Sequence, residues 1–124
     1  MPSAVLRFHR FRWSGVAPET YKQELESTWA GMSRHVLIAG SRGAPIAFDL
    51  RYFEVEPGGY SSLETHAHAH VIVAVRGKGR LRVGRQWHTL QPLDACYVAP
   101  RAIHQLRNES RKPFGFFCLV DAER

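Results

Sequence analysis

Glu64, His66, His68 and His70 fall on alternate positions of GGYSSLETHAHAHVIVAVRG, the segment running from Gly58 to Gly77. Successive side chains of a strand turn to opposite faces, so a strand over 64–70 sets a carboxylate and three imidazoles along one wall. Burying them with nothing bound costs on the order of several kcal/mol for each unpaired group. Imidazole and carboxylate together are the ligands that Zn, Fe, Ni, Cu or Mn take. Three neutral imidazoles with one carboxylate carry a single negative charge, which suits a divalent ion with positions left for water or substrate. Such an ion can polarise a carbonyl or stabilise an enediolate. The plainer reading is a solvent-facing, His-rich hairpin. The apolar run Val71–Val75, which follows at once, argues against it.

Two more residues carry possible chemistry. His104, with Asn108 four positions on, is either a satisfied core histidine or a further ligand. In the run FFCLV, Phe116, Cys118 and Val120 share one face of a strand, and Phe117 and Leu119 the other. A buried cysteine is ordinarily a small hydrophobe. Beside a cation it becomes a thiolate nucleophile or an acid/base. Cys96 reads as structural.

The elements that position these residues are mostly strands. The segment 19–29, ETYKQELESTW, is the one stretch that reads as a helix, short and polar. Strands are expected over VLIAG (36–40) and IAFDLRYFEVEP (46–57), with Pro57-Gly58-Gly59 breaking the second. After the histidine stretch come VIVAVRG, then RLRVG at 80–84, whose arginines mark a wet face. WHTL (87–90), CYVAP (96–100), HQLRN (104–108) and 114–120 complete the set. Many short strands divided by Gly, Pro and Asp turns imply a sandwich or small barrel.

With 124 residues the chain is the size of one domain, and its composition (44% hydrophobic, 23% charged) is that of a globular protein. No apolar run reaches the length of a membrane span, and the basic start MPSAVLRFHRFRW has no signal-peptide core. The two cysteines lack metal-type spacing, and a reducing cytoplasm is the expected compartment. The net charge of +6 is spread over scattered arginines with no nucleic-acid motif, so no nucleic-acid or membrane partner is expected. The same charge can steer an anionic small-molecule substrate.

These residues resemble the cupins, a family of small double-stranded β-helix (jelly-roll) barrels. The first cupin motif has the form G-x5-H-x-H-x3-E-x6-G. Anchored on Gly58 and Gly77, it puts Glu64 at the first His position, His66 at the second and His70 at the Glu position. His68 falls in the connection between two strands, as a neighbour of the site or as an alternative ligand to Glu64. The second motif, P-x-G-x2-H-x3-N, matches at His104 and Asn108, while Ala99 and Arg101 replace its proline and glycine. The resemblance implies an all-β barrel over 46–124 behind an N-terminal extension, 1–45, with a short helix and an extra strand. It implies a divalent metal (Mn, Fe, Ni or Zn) held by His66, His70 and His104, with Glu64 as fourth ligand. The barrel also brings the last strand beside the metal histidines, which puts Cys118 in reach of the site. An extra apolar strand must pair or be covered, and a homodimer built on it is expected.

A narrower similarity rests on E-x-H-x-H-x-H-V, on His104-Gln105-Leu106-Arg107 and on Gly115–Val120. These resemble the cupin methylsulfurylases of methylthioxylulose-phosphate salvage, which implies a divalent metal, a thiol such as glutathione as co-substrate, and Cys118 as the sulfur-handling group. Arg76, Arg101 and Arg107 are then candidates for the phosphate. Two classes remain open on sequence: a metal enzyme acting on a small, anionic, oxygenated substrate (lyase, isomerase, methylsulfurylase or dioxygenase), and a non-catalytic binding or sensing module. The fold hosts both.

Overall fold

The computed structural model describes residues 1–22 and 28–124. Their strands are β1 (Phe8–His9), β2 (Arg12–Trp13), β3 (Glu19–Thr20), β4 (Ala30–Ala39), β5 (Phe48–Tyr60), β6 (His70–Arg76), β7 (Gly79–Val83), β8 (Gln86–Leu90), β9 (Ala95–Val98), β10 (His104–Arg107) and β11 (Phe114–Asp121). β1 and β2 form a small hairpin of their own. The others form one antiparallel sheet in the order β8-β7-β10-β5-β11-β6-β9, with β4 on the free edge of β5 and β3 on β4. The sheet curls into the nearly closed all-β barrel that the strand pattern predicts.

β5 is the spine. It bonds β11 along one edge, from Phe114↔Val55 to Asp121↔Phe48, and β4 along the other, from Met32↔Val55 to Ala39↔Asp49. Pro57-Gly58-Gly59 does not end this strand, contrary to the sequence expectation. Pairing jumps from Met32↔Val55 to Ala30↔Tyr60, so the residues between bulge out and the strand resumes. Gly58 absorbs the bend at φ +80°.

Two further expectations are corrected. Glu19–Thr20, read as the start of a helix, pairs with Arg34 and Ser33 as a strand; residues 23–27 of that segment lie outside the described residues. Residues 64–70 are not one strand either. Glu64 makes an isolated bridge to His104, and regular structure returns only at His70, the first residue of β6. VLIAG is the end of the longer β4, which finds its backbone partners within the chain.

The barrel interior is apolar at one end, where Val55, Ala74, Leu81, Val98, Phe114 and Phe116 are all essentially buried. The outer face of β5 is covered as well. Tyr52, fully buried, packs 4.9 Å from Trp13, 5.9 Å from Phe11 and 5.9 Å from Phe117. Gly115 permits this: a Cβ there would sit 2.0 Å from the Tyr52 hydroxyl.

Candidate metal centre

Three connections bring the histidines together. His104 opens β10, and its backbone exchanges two hydrogen bonds with Glu64, of 2.9 and 3.0 Å. The His66 carbonyl accepts the Arg101 backbone N–H at 2.5 Å, while the Thr65 hydroxyl donates to the Arg101 carbonyl. Arg101 holds this turn at φ +64°, the conformation for which the motif's glycine is suited. His70 is held by β6, paired with Val98 of β9. One potential ligand atom from each of His66, His70 and His104 lies within 4.8 Å of the others. They line a cavity of about 200 Å³, with Phe53, Ile72 and Phe116 on its apolar side.

Their orientations are set by what their other atoms touch. His104 Nδ1 donates to the Ala102 carbonyl at 2.9 Å, which leaves Nε2 as the basic nitrogen. His70 Nδ1 lies 3.4 Å from Cys118 Sγ, and its Nε2 is buried with no partner. An orphaned imidazole nitrogen beside two converging imidazoles is the donor set a divalent ion takes, so these residues fit one. The site also keeps its ligands neutral. Burial, reinforced by His104, His68, His66 and Arg51, pushes His70 down to about 3, and burial likewise lowers His66 and His104. Neutral imidazole is the form that binds metal.

Glu64 stands next to the trio rather than within it. Its carboxylate accepts from Tyr21 Oη at 3.1 Å and from Ser62, pairs with Lys22, and contacts His66 Nε2 at 2.5 Å. His68 stacks on His66, with centroids 4.9 Å apart and planes 16° from parallel, and its ring lies 4.8 Å from that of His70. Cys118 points inward, 4% exposed, with Sγ 3.4 Å from His70 Nδ1 and 3.4 Å from Arg51 Nη2. Burial pushes its thiol pKa up while the Arg51 charge pulls the other way. Cys96, half-buried on β9, lies outside the cavity lining.

The arginines singled out from sequence are not the ones at the cavity. Arg76 leaves the inward phase of Ile72 and Ala74 because pairing slips between Gly115↔Arg76 and Phe116↔Ala74. Its guanidinium instead meets Glu54 at 2.9 Å and covers the Phe11 ring. Arg107 lies over Trp87, and Arg101 acts on His66 through its backbone. The basic residues of the cavity are Lys22, Arg34, Arg51 and Arg124. Arg51 was legible, because it alternates with Phe53 and Val55 along β5. Lys22 sits in the segment read as helix, and Arg124 follows β11 with no periodicity to place it.

The Cupin domain family model matches residues 51–120. A 1-methylthio-D-xylulose 5-phosphate methylsulfurylase of Rhodospirillum rubrum is 38% identical over 115 residues, covering 93% of this chain and 72% of that protein. A cupin 2 conserved barrel domain protein from Rhodopseudomonas palustris superposes with a TM-score of 0.87 at 38% identity, over 98% of this chain and 82% of that one. A cupin-2 domain protein from R. rubrum gives 0.83 at 36% identity, over 98% and 79%. The chain belongs to the cupin family.

Proposed function

We propose that this cupin is a metal-dependent enzyme acting on a small, anionic, oxygenated substrate, with chemistry of the methylsulfurylase type. The observation that carries the metal is the buried, partnerless Nε2 of His70, with His66 and His104 converging on the same space. Support for the reaction type is the 38% identity to a methylsulfurylase along nearly the whole chain, together with a thiol beside the histidines. A divalent ion held by His66, His70 and His104 would polarise a ketone and stabilise negative charge on the carbon next to it when a C–S bond is cleaved. Glu64 then serves as fourth ligand or, through its contact with His66, as the group that orients that ring. Cys118 is the sulfur-handling residue, and glutathione is the co-substrate thiol. The apolar wall of Phe53, Ile72 and Phe116 keeps water from the reacting centre.

Both cysteines are free, and a reducing cytoplasm would keep Cys118 as a thiol. A homodimer is proposed too; sedimentation at micromolar concentration checks it, and a monomer there would refute it. Among the described residues no helix is long and apolar enough to cross a membrane.

The test of function is elemental analysis of the purified protein, followed by assay of 1-methylthio-D-xylulose 5-phosphate with and without glutathione. Bound Mn, Fe, Ni or Zn with thiol-dependent turnover is expected. Iron with oxygen uptake would replace this reading by a dioxygenase. Ligand binding without turnover of any substrate would leave a binding module.

A further inference from the structure

Among the described residues four Lys and Arg side chains line the cavity, and three make ion pairs with carboxylates, Glu19 being shared with Arg42. Lys22 pairs with Glu64, Arg34 with Glu19 at 3.2 Å, and Arg124 with Asp49 at 2.7 Å. Arg51 has no carboxylate partner among the described residues. It is fixed from below, because it stands on β5 between Val36 of β4 and Cys118 of β11, one inward step from Phe53, whose ring lies 5.0 Å from the guanidinium carbon. Nη2 touches the Cys118 sulfur at 3.4 Å, and Nε is buried with no partner. Nε of Arg34, two pairs along the same face, is also buried without one. Arg34 and Arg124 both lie near enough to repel the Arg51 charge.

A guanidinium withdrawn from water beside two like charges is unfavourable unless an anion completes it. A neutral sulfur cannot supply that charge. A planar fork of N–H donors lining a cavity is the geometry that recognises an oxyanion in bidentate fashion. Arg34 and Arg124, though each is paired with a carboxylate, line the same cavity, and their further N–H donors suit an oxyanion with several oxygens, such as phosphate, better than a carboxylate. We propose that Arg51, with Arg34 and Arg124 beside it, binds the phosphate group of a phosphorylated substrate. This rests on the enzymatic reading above and deepens it, by assigning the anionic end of the substrate to the β5 side of the cavity. The roles considered for Arg76, Arg101 and Arg107 then pass to residues that the fold turns inward.

Calorimetric titration of the metal-replete protein with inorganic phosphate tests this. The wild type should bind, and Arg51→Gln should weaken binding about 10-fold or more, the loss expected for charge-assisted hydrogen bonds. Arg51→Lys should recover part of it, and serves alone should Arg51→Gln fail to fold. His70→Ala, depleted of metal, should still bind phosphate, and acetate should bind the wild type more weakly. Phosphate binding that survives in both Arg51 variants, that is lost in His70→Ala, that is weaker than acetate binding, or that is absent in the wild type overturns the proposal. Elemental analysis of the same samples reports separately on the metal. A metal-free protein that binds phosphate through Arg51 would remove the metal-enzyme reading and leave Arg51 as the phosphate subsite of a binding module.

Discussion

The two faces of β5 bury polar groups in opposite ways. Outward, Tyr52 Oη donates to Glu54 Oε2 at 3.0 Å, and Arg76 and Arg12 close on the same carboxylate at 2.9 and 3.5 Å. Rings from the N-terminal hairpin and β11 seal the cluster. Inward, at Arg51 and across to His70, donors and acceptors are buried with valences left open. On the outward side His35 Nδ1 also lacks a partner, but its ring is fully buried against Tyr52, 5.3 Å away, and is not part of the histidine cavity's lining. The outer network supplies its own partners and so serves the fold. Among the described residues the inner one leaves His70 Nε2, Arg51 Nε and Arg34 Nε without a partner. Buried charge alone therefore does not mark a site; unfinished pairing around a space does.

The sharpest way to break this comparison is to remove one residue from each face. His70→Ala should lower metal affinity by about 100-fold or more, since a ligand is lost outright. The stability of the metal-free protein should move by less than about 1 kcal/mol, because the side chain faces an existing cavity. Tyr52→Ala should do the reverse. It should cost about 3–5 kcal/mol in urea unfolding, the usual penalty for emptying a large aromatic site, while the folded fraction keeps its metal. Parallel loss of metal in both variants would end the distinction.

Cys118→Ser probes the inner face alone. Turnover should fall about 100-fold or more if the sulfur is the reacting group, with metal content and unfolding midpoint unchanged. Cys96→Ser, outside the cavity, should change neither. Unaltered kinetics for Cys118→Ser would remove the sulfur-transfer role and leave the histidines untouched.

How far the sequence discloses this arrangement differs by element. Alternation and turn residues place β6 to β11 within a residue or two, because each strand has one dry face and one wetter one, while β5 runs on past the Pro57-Gly58-Gly59 bulge that reads as its end. The motif register brought His66, His70 and His104 together although 64–70 is no regular strand; loop bonds such as Arg101 N–H to the His66 carbonyl do what a strand was expected to do. Parity failed at Arg76, where a pairing slip reverses the phase. The β1–β2 hairpin went unread, since two-residue strands carry no period. Lys22 and Arg124 reach the cavity through tertiary folding that no local pattern records.

Acid should distinguish the faces by a smaller margin. His70, ordinarily near 6.5, is held down to about 3, by burial first and then by the crowding of His104, His68, His66 and Arg51, which resists a further positive charge. Below 6.5 the unfolded imidazole takes up a proton that the folded one refuses, so stability falls as pH drops across this window. For this residue the loss by pH 4.5 is about 2–3 kcal/mol in the metal-free protein. Asp49 acts lower: burial would raise it, but Ser41 and Arg124 bring it down to about 2, so its contribution disappears only near that pH. Urea midpoints from pH 7 to 4.5 should slope steeply in the wild type and in Tyr52→Phe. They should be shallower in His70→Ala, where the lowered His66 and His104 still contribute, and an unchanged slope there would refute the assignment.

Arg76→Gln is the finest test, because Arg76 and Arg51 belong to the same sheet and differ by the side they face. The Arg76–Glu54 pair is partly exposed on the arginine side, and Tyr52 and Arg12 still bond Glu54 when it is cut. The stability cost should therefore be only about 1 kcal/mol. Phosphate affinity and metal content should stay within about twofold, as for a residue with no contact to the site. The slip between Gly115↔Arg76 and Phe116↔Ala74 is what commits this guanidinium to the outside. If Arg76→Gln weakened phosphate binding as much as Arg51→Gln, the slip would not insulate one face from the other. The inner cations would then have to be counted together with the outer ones.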